Sequence, residues 1–148
     1  MGSKLGAAFL AGMFFTFFLD FFFILGLFLN YIEAQDIDVY YNVLFADHQS
    51  FLLFFTGVVV FGYLFVFFYS TKLAAIIFAV CFAIVNLTQI PDIGFYVGET
   101  MFAQKNKIIN EGRHTYIGTI VYEGRDKIWF YDEELNKIIT FDKEKIDE

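Results

Sequence analysis

The 148-residue chain is 58% hydrophobic and 22% aromatic, with a mean hydropathy of +0.58, which excludes an ordinary soluble domain and places it in the membrane class. A net charge of -7 with no cluster of Lys and Arg excludes nucleic acid as a partner, because several phosphates would need neutralising. The single cysteine, Cys81, excludes an internal disulfide and any multi-cysteine metal site.

The first element is an apolar run, LGAAFLAGMFFTFFLDFFFILGLFL, from Leu5 to Leu29. Its length predicts a membrane-spanning helix over about 5–29. The run is much longer than the apolar core of a signal peptide and no small-residue cleavage site follows it, so a retained anchor is expected. Ala8, Gly12 and Thr16 recur every four residues and lead to Asp20, the one charge within the run. Small residues at that spacing let helices approach closely in lipid, so these three are expected to be helix-packing positions.

Residues 30–50 are polar, with Glu33, Asp36, Asp38, Asp47 and His48 but no Lys or Arg. Tyr31, Tyr40 and Tyr41 suit the headgroup layer, where rings with a polar tip accumulate. An aqueous loop close to the bilayer is expected, with Asp47 capping the next helix.

Two further apolar runs, over about 51–69 and 73–90, are separated by Ser70-Thr71-Lys72. One continuous helix would bury Lys72 at its middle, so the pair is expected to form a tight helical hairpin with Ser70 or Thr71 as cap. In the third span Ala75, Ala79 and Ala83 form a second stripe of small residues, leading to Asn86. The two stripes are expected to face each other or a partner, and the surrounding Phe residues to be lipid-facing bulk. Asp20, Thr56 and Asn86 fall at similar depth and are expected to form an intramembrane polar cluster.

At Pro91 the composition changes. Of the 23 Phe residues 19 precede it, whereas twelve of the 17 acids and eight of the ten bases follow it. The expected domains are therefore 1–91, carrying three spans, and 92–148, a small antiparallel β unit. Runs at 115–123, 127–132 and 137–141 are rich in β-branched and aromatic residues and read as a meander, joined by 107–110, of SH3-like or OB-like type. Its alternation sets Tyr116, Ile120 and Tyr122 against Ile117, Thr119 and Val121. A unit that small, with no disulfide, is expected to be buried on one side and docked on the other. Residues 93–104 are compatible with a strand, a short amphipathic helix or a linker.

Lys4 and Lys72 lie on one side of the three spans and the base-free loop on the other, so the N-terminus and hairpin turn are expected in the cytoplasm. That makes the chain an integral protein, of a bacterial inner membrane, with the β unit in the periplasm. The two histidines, His48 and His114, lack a second ligand at metal-binding spacing, so neither metal nor cofactor is expected. No catalytic constellation is present, and the chain is not expected to be an enzyme.

Two functions fit these features. The first is a small accessory or assembly subunit that anchors to the bilayer and docks on other membrane subunits without chemistry of its own. The alternative is a channel or proton-coupled transporter built from copies of this chain, with Asp20 in the pathway. Three helices followed by a small β unit resemble small mechanosensitive channels at the level of fold, although no glycine-rich pore helix occurs here.

Overall fold

The computed structural model describes residues 2–111 and 114–146. Helix α1 (Gly2–Leu27) continues through a π-helical turn (Phe28–Ile32) and a 3-10 turn (Glu33–Gln35) before Asp36, at φ 57°, stops it. This rod of 34 residues is about 51 Å long at 1.5 Å per residue. A hydrocarbon core of about 30 Å takes up less than two thirds of it. Its last turns, Phe28–Ile32 and Glu33–Gln35, carry other structure, described below.

Helix α2 (Tyr41–His48) meets α3 (Phe51–Val66) at 83°. Ser50 caps α3, its Oγ accepting from the Leu53 amide at 3.5 Å. Asp47 is thus not the cap; its carboxylate is drawn to an arginine described below. Residues 67–70 turn the chain, and α4 (Thr71–Val85) starts with the Ser70 Oγ accepting from the Leu73 amide at 3.4 Å. A 3-10 turn (Asn86–Gln89) lengthens α4. The rods Gly2–Gln35 and Thr71–Gln89 are both long and apolar enough to cross a membrane, and the bent pair α2–α3 supplies a third crossing if it counts as one span.

Helices α1 and α3 meet backbone to backbone. A Cβ built on Gly12 would come within 2.0 Å of the Val58 carbonyl oxygen, and one on Gly62 within 2.4 Å of the Ala8 carbonyl oxygen. Gly57 admits Thr16 in the same way. Ala8, Gly12 and Thr16 are all buried there, so the first stripe packs on α3. Helix α4 is held by rings instead. Phe78 meets Phe15 of α1 at 4.8 Å and Phe61 of α3 at 5.8 Å, and Phe82 lies 5.3 Å from Phe18 and 5.2 Å from Phe22. These phenylalanines are interhelical filling rather than lipid-facing bulk. Ala75, Ala79 and Ala83 remain exposed on the outer face of α4.

Residues 91–102 resolve into helix α5 (Pro91–Phe102), started by Pro91 in its first turn, where proline's missing N–H is not needed. The sheet that follows is an antiparallel meander, β1 (Gln104–Glu111), β2 (His114–Glu123), β3 (Lys127–Asp132) and β4 (Lys137–Asp142), in the order β1-β2-β3-β4. The strand joining the expected meander is therefore a full fourth member. Pairing shifts between Ile120 and Tyr122, and this bulge brings Val121 and Tyr122 into the same core, unlike the strict alternation expected from sequence.

The sheet has two packed faces. On one, Ile109, Ile120, Phe130 and Phe141 form a small core among the strands themselves. On the other, Val121, Tyr122 and Trp129 join Phe102 of α5 and Ile24, Leu27, Tyr31, Ile32, Ile37 and Leu44 in one larger core. This second core crosses residue 91: the extension of α1 is the support on which the sheet rests.

Candidate functional site

The site is built where the sheet meets the membrane helices, and residues 47–49 lie at its centre. Helix α2 ends at His48 and the chain bends sharply into α3, so three consecutive side chains fan out in three directions. Asp47 accepts from Arg125, in the β2–β3 turn, whose Nε lies 2.9 and 3.1 Å from the two carboxylate oxygens and whose Nη2 also donates to Oδ1. The His48 ring packs against Phe102 at 4.7 Å and Tyr122 at 5.9 Å, with its Nε2 3.5 Å from the tyrosine hydroxyl. Gln49 Nε2 donates to Asp20 Oδ2 at 3.3 Å. One short segment thus touches the hairpin turn, the sheet and the membrane-embedded acid.

The electrostatics follow this placement. The hydrogen bond from Arg125 holds the Asp47 carboxyl below its ordinary value. Burial pushes His48 down, favouring the neutral ring, and pushes the Tyr122 phenol up to about 12. Beside them Glu123 is held below the usual carboxylate range by Lys143, which lies 2.7 Å away. A cavity of about 240 Å³ opens among His48, Met101, Phe102, Gln104, Tyr122, Glu123 and Lys143. Each ionisable group around it already has a partner, so the arrangement offers charge pairing and hydrogen bonding between elements. Its chemistry is that of a joint.

A second polar seam fixes the end of α4 to α1. Gln89 Nε2 donates to the Phe22 carbonyl at 2.8 Å, Asn30 Nδ2 to the Thr88 carbonyl at 2.8 Å, and the Thr88 hydroxyl lies 3.4 Å from the Phe23 carbonyl. Gly26 lets Thr88 sit against the α1 backbone, since a Cβ there would fall 2.1 Å from Thr88 Oγ1.

The structure does not join Asp20, Thr56 and Asn86 by hydrogen bonds. The Thr56 hydroxyl donates to the Leu52 carbonyl at 2.8 Å and Asn86 Nδ2 to the Phe82 carbonyl at 2.8 Å. Both satisfy themselves one turn back on their own helix, the local alternative open to short polar side chains. Asp20 finds Gln49 instead. Of the packing positions, Ala8, Gly12 and Thr16 meet α3, while Ala75, Ala79 and Ala83 meet no helix of this chain's interior and stay exposed.

Sequence reading missed Gln49 and Arg125, and it placed Tyr31 in the headgroup layer, whereas the ring is buried in the core shared with the sheet and its hydroxyl donates to the Val121 carbonyl. A signal existed for the first: Gln49 stands just before the apolar run of α3, at the level an antiparallel partner gives to the far part of α1. Arg125 sits in a turn and carried no such signal, because its partner is 78 residues away. Comparison with protein families, with curated proteins and with solved structures returns no match.

Proposed function

We propose that this chain is a small integral-membrane accessory or assembly subunit, which anchors in the bilayer and docks on other membrane subunits without chemistry of its own. The observation that carries the reading is the outer face of α4. The small-residue stripe of α1 is used up against α3, whereas Ala75, Ala79 and Ala83 line a face that none of the described residues covers. Helices associate in lipid by close approach at such faces, so a partner helix is the natural occupant.

In this reading α1, α3 and α4 are three spans, with α3 and α4 as the hairpin. Lys4 and Lys72 put the N-terminus and the hairpin turn in the cytoplasm of a bacterial inner membrane and the sheet in the periplasm. The sheet is read as an SH3-like or OB-like meander, supported by the bulges between Gln104 and Lys107 and between Ile120 and Tyr122, which curl it around Phe130. The joint at 47–49, which ties the β2–β3 turn, the sheet and Asp20 together, suits a subunit that must present its sheet at a fixed angle to its anchor.

The competing reading, a channel or proton-coupled transporter made of copies of the chain, draws on Asp20, whose carboxylate lies within the first span and bonds only to Gln49 among the described hydrogen bonds. Solubilisation in mild detergent separates the two. The subunit reading expects the chain to migrate with other polypeptides in a fixed ratio. Migration with copies of itself alone, accompanied by ion flux in vesicles, supports the competing reading instead.

A further inference from the structure

Helix α5 crosses the extension of α1 rather than running along it. Gly94 meets Asn30, Gly98 meets the Tyr31 side chain, and Phe102, one turn beyond Gly98, still packs on the Tyr31 ring at 5.6 Å. From Gly94 to Phe102, about 12 Å of helix, α5 keeps to the stretch of the extension around Asn30 and Tyr31. A steep crossing gives that pattern. Since α1 stands across the membrane, α5 lies close to the membrane plane.

Its flanks differ in chemistry. Helical spacing places Ile93, Val97 and Met101 in one row, four residues apart, and Asp92 and Glu99 on the opposite flank, with the glycines between them turned inward. Ile93 and Met101 are exposed, Met101 by 47%, and Val97 is half-buried. Met101 shares a cavity with His48, three residues before α3 begins, so the apolar row is on the side of α5 where the chain enters the spans. Glu99 is turned the other way and pairs with Lys105 at 3.0 Å.

We propose that the Ile93, Val97 and Met101 flank of α5 is a lipid-docking face, seated at the boundary between headgroups and acyl chains. Continuity identifies the occupant. Val80, Ile84, Leu87, Ile90 and Ile93 are all exposed, a line of apolar side chains that runs from the flank of α4 beside its alanine stripe onto α5 with no charged residue except Asp92, which projects to the other flank. The medium that covers this flank of α4 therefore covers the start of α5. A short helix with one apolar and one acidic flank is the form that lies in the interface plane. Tyr96, 69% exposed between the flanks, sits where an amphipathic ring anchors to headgroups. This inference rests on the chain being integral to a membrane.

The test uses the full chain, with Cys81→Ser, reconstituted in vesicles of equal parts phosphatidylcholine and phosphatidylglycerol. An environment-sensitive fluorophore is attached in turn to Ile93→Cys, Met101→Cys, Asp92→Cys, Lys105→Cys and Val80→Cys. Labels at 93 and 101 are expected to emit blue-shifted and to be quenched several-fold more by a lipid carrying a nitroxide near its headgroup than labels at 92 and 105, which aqueous iodide quenches. The Val80 label reads insertion by itself: if a nitroxide deep in the acyl chains leaves it unquenched, the membrane reading and the α5 proposal both fall. If Val80 is quenched but 93 and 101 follow iodide, α5 faces water and the proposal alone is overturned. Labels at 93 and 101 that neither quencher reaches mean that protein covers this flank, which also overturns it.

Discussion

The hydroxyl of Tyr31, on the extension of the first membrane helix, donates to the carbonyl of Val121 in β2 at 2.8 Å, across 90 residues of sequence. Tyr31 is 1% exposed, so the bond is sealed from water. It ties the sheet to the anchor at the centre of their shared core. Tyr31→Phe keeps the ring and leaves the Val121 carbonyl buried without this donor, a loss of about 1–3 kcal/mol. Denaturant unfolding of the detergent-solubilised protein should show sheet and anchor less stable together by that amount. An unchanged midpoint would mean that the ring packing alone holds the two.

The α1–α3 contact leaves no room for a side chain at Gly62. Because a Cβ there would fall 2.4 Å from the Ala8 carbonyl oxygen, Gly62→Leu must force the two backbones apart. Overpacking of this kind costs about 1–3 kcal/mol or more. Thermal melts in detergent should show a clear drop, while Ala79→Leu, on the open face of α4, should leave the isolated chain unchanged. Equal effects at the two positions would contradict the packing described.

Asp20 and Gln49 form a matched pair of polar groups at the edge of the helix bundle. An Asp at the centre of a spanning helix costs about +2.5 to +3.5 kcal/mol on insertion scales, and less towards its ends. Asp20→Asn keeps a carbonyl oxygen to accept from Gln49 and should assemble as the parent does; Asp20→Leu leaves the glutamine amide without its acceptor and should lower folding yield. If Asn assembles normally but a transport activity is lost, the carboxyl cycles a proton and the transporter reading gains. If Leu behaves as the parent in yield and assembly, the pair holds nothing.

Asp47 links the joint to pH. Its carboxyl is held below the ordinary value by Arg125 in the folded protein, so the contact stabilises the fold fully above about pH 4, the unfolded value, and the gain is lost as pH falls through the lower folded value. Spin labels at Ala46→Cys and Asp126→Cys should give a narrow distance distribution at neutral pH that broadens below about pH 4. Adding Asp47→Asn should broaden it at every pH. A distribution that stays narrow in the variant would show that other contacts fix the hairpin.

Much of this architecture is written in the sequence, for reasons that also mark where reading stops. The apolar runs, the Ser70 cap and the stripe at Ala8, Gly12 and Thr16 are local or periodic, and composition reveals them directly. The partner of that stripe is not periodic: Gly57 and Gly62 are five residues apart, while Ala75, Ala79 and Ala83 display the regular spacing and are left uncovered. Tyr122 changes face through a bulge that no alternation pattern announces. Gly94 and Gly98 do carry the four-residue spacing of a close helix contact, a signal that favours helix for 91–102. The joint at 47–49 depends on partners 29 to 78 residues away, and nothing local in the chain selects them.

What covers the alanine face of α4 separates the accessory subunit from the channel most directly. A photo-crosslinking residue placed in turn at Ala75, Ala79 and Ala83, in native membranes, reports the neighbour directly, with Phe14 on the exposed face of α1 as the lipid-facing control. The subunit reading predicts discrete adducts with another polypeptide from the α4 positions and none from Phe14. Adducts only with copies of this chain, or with lipid alone at all three positions, would contradict it.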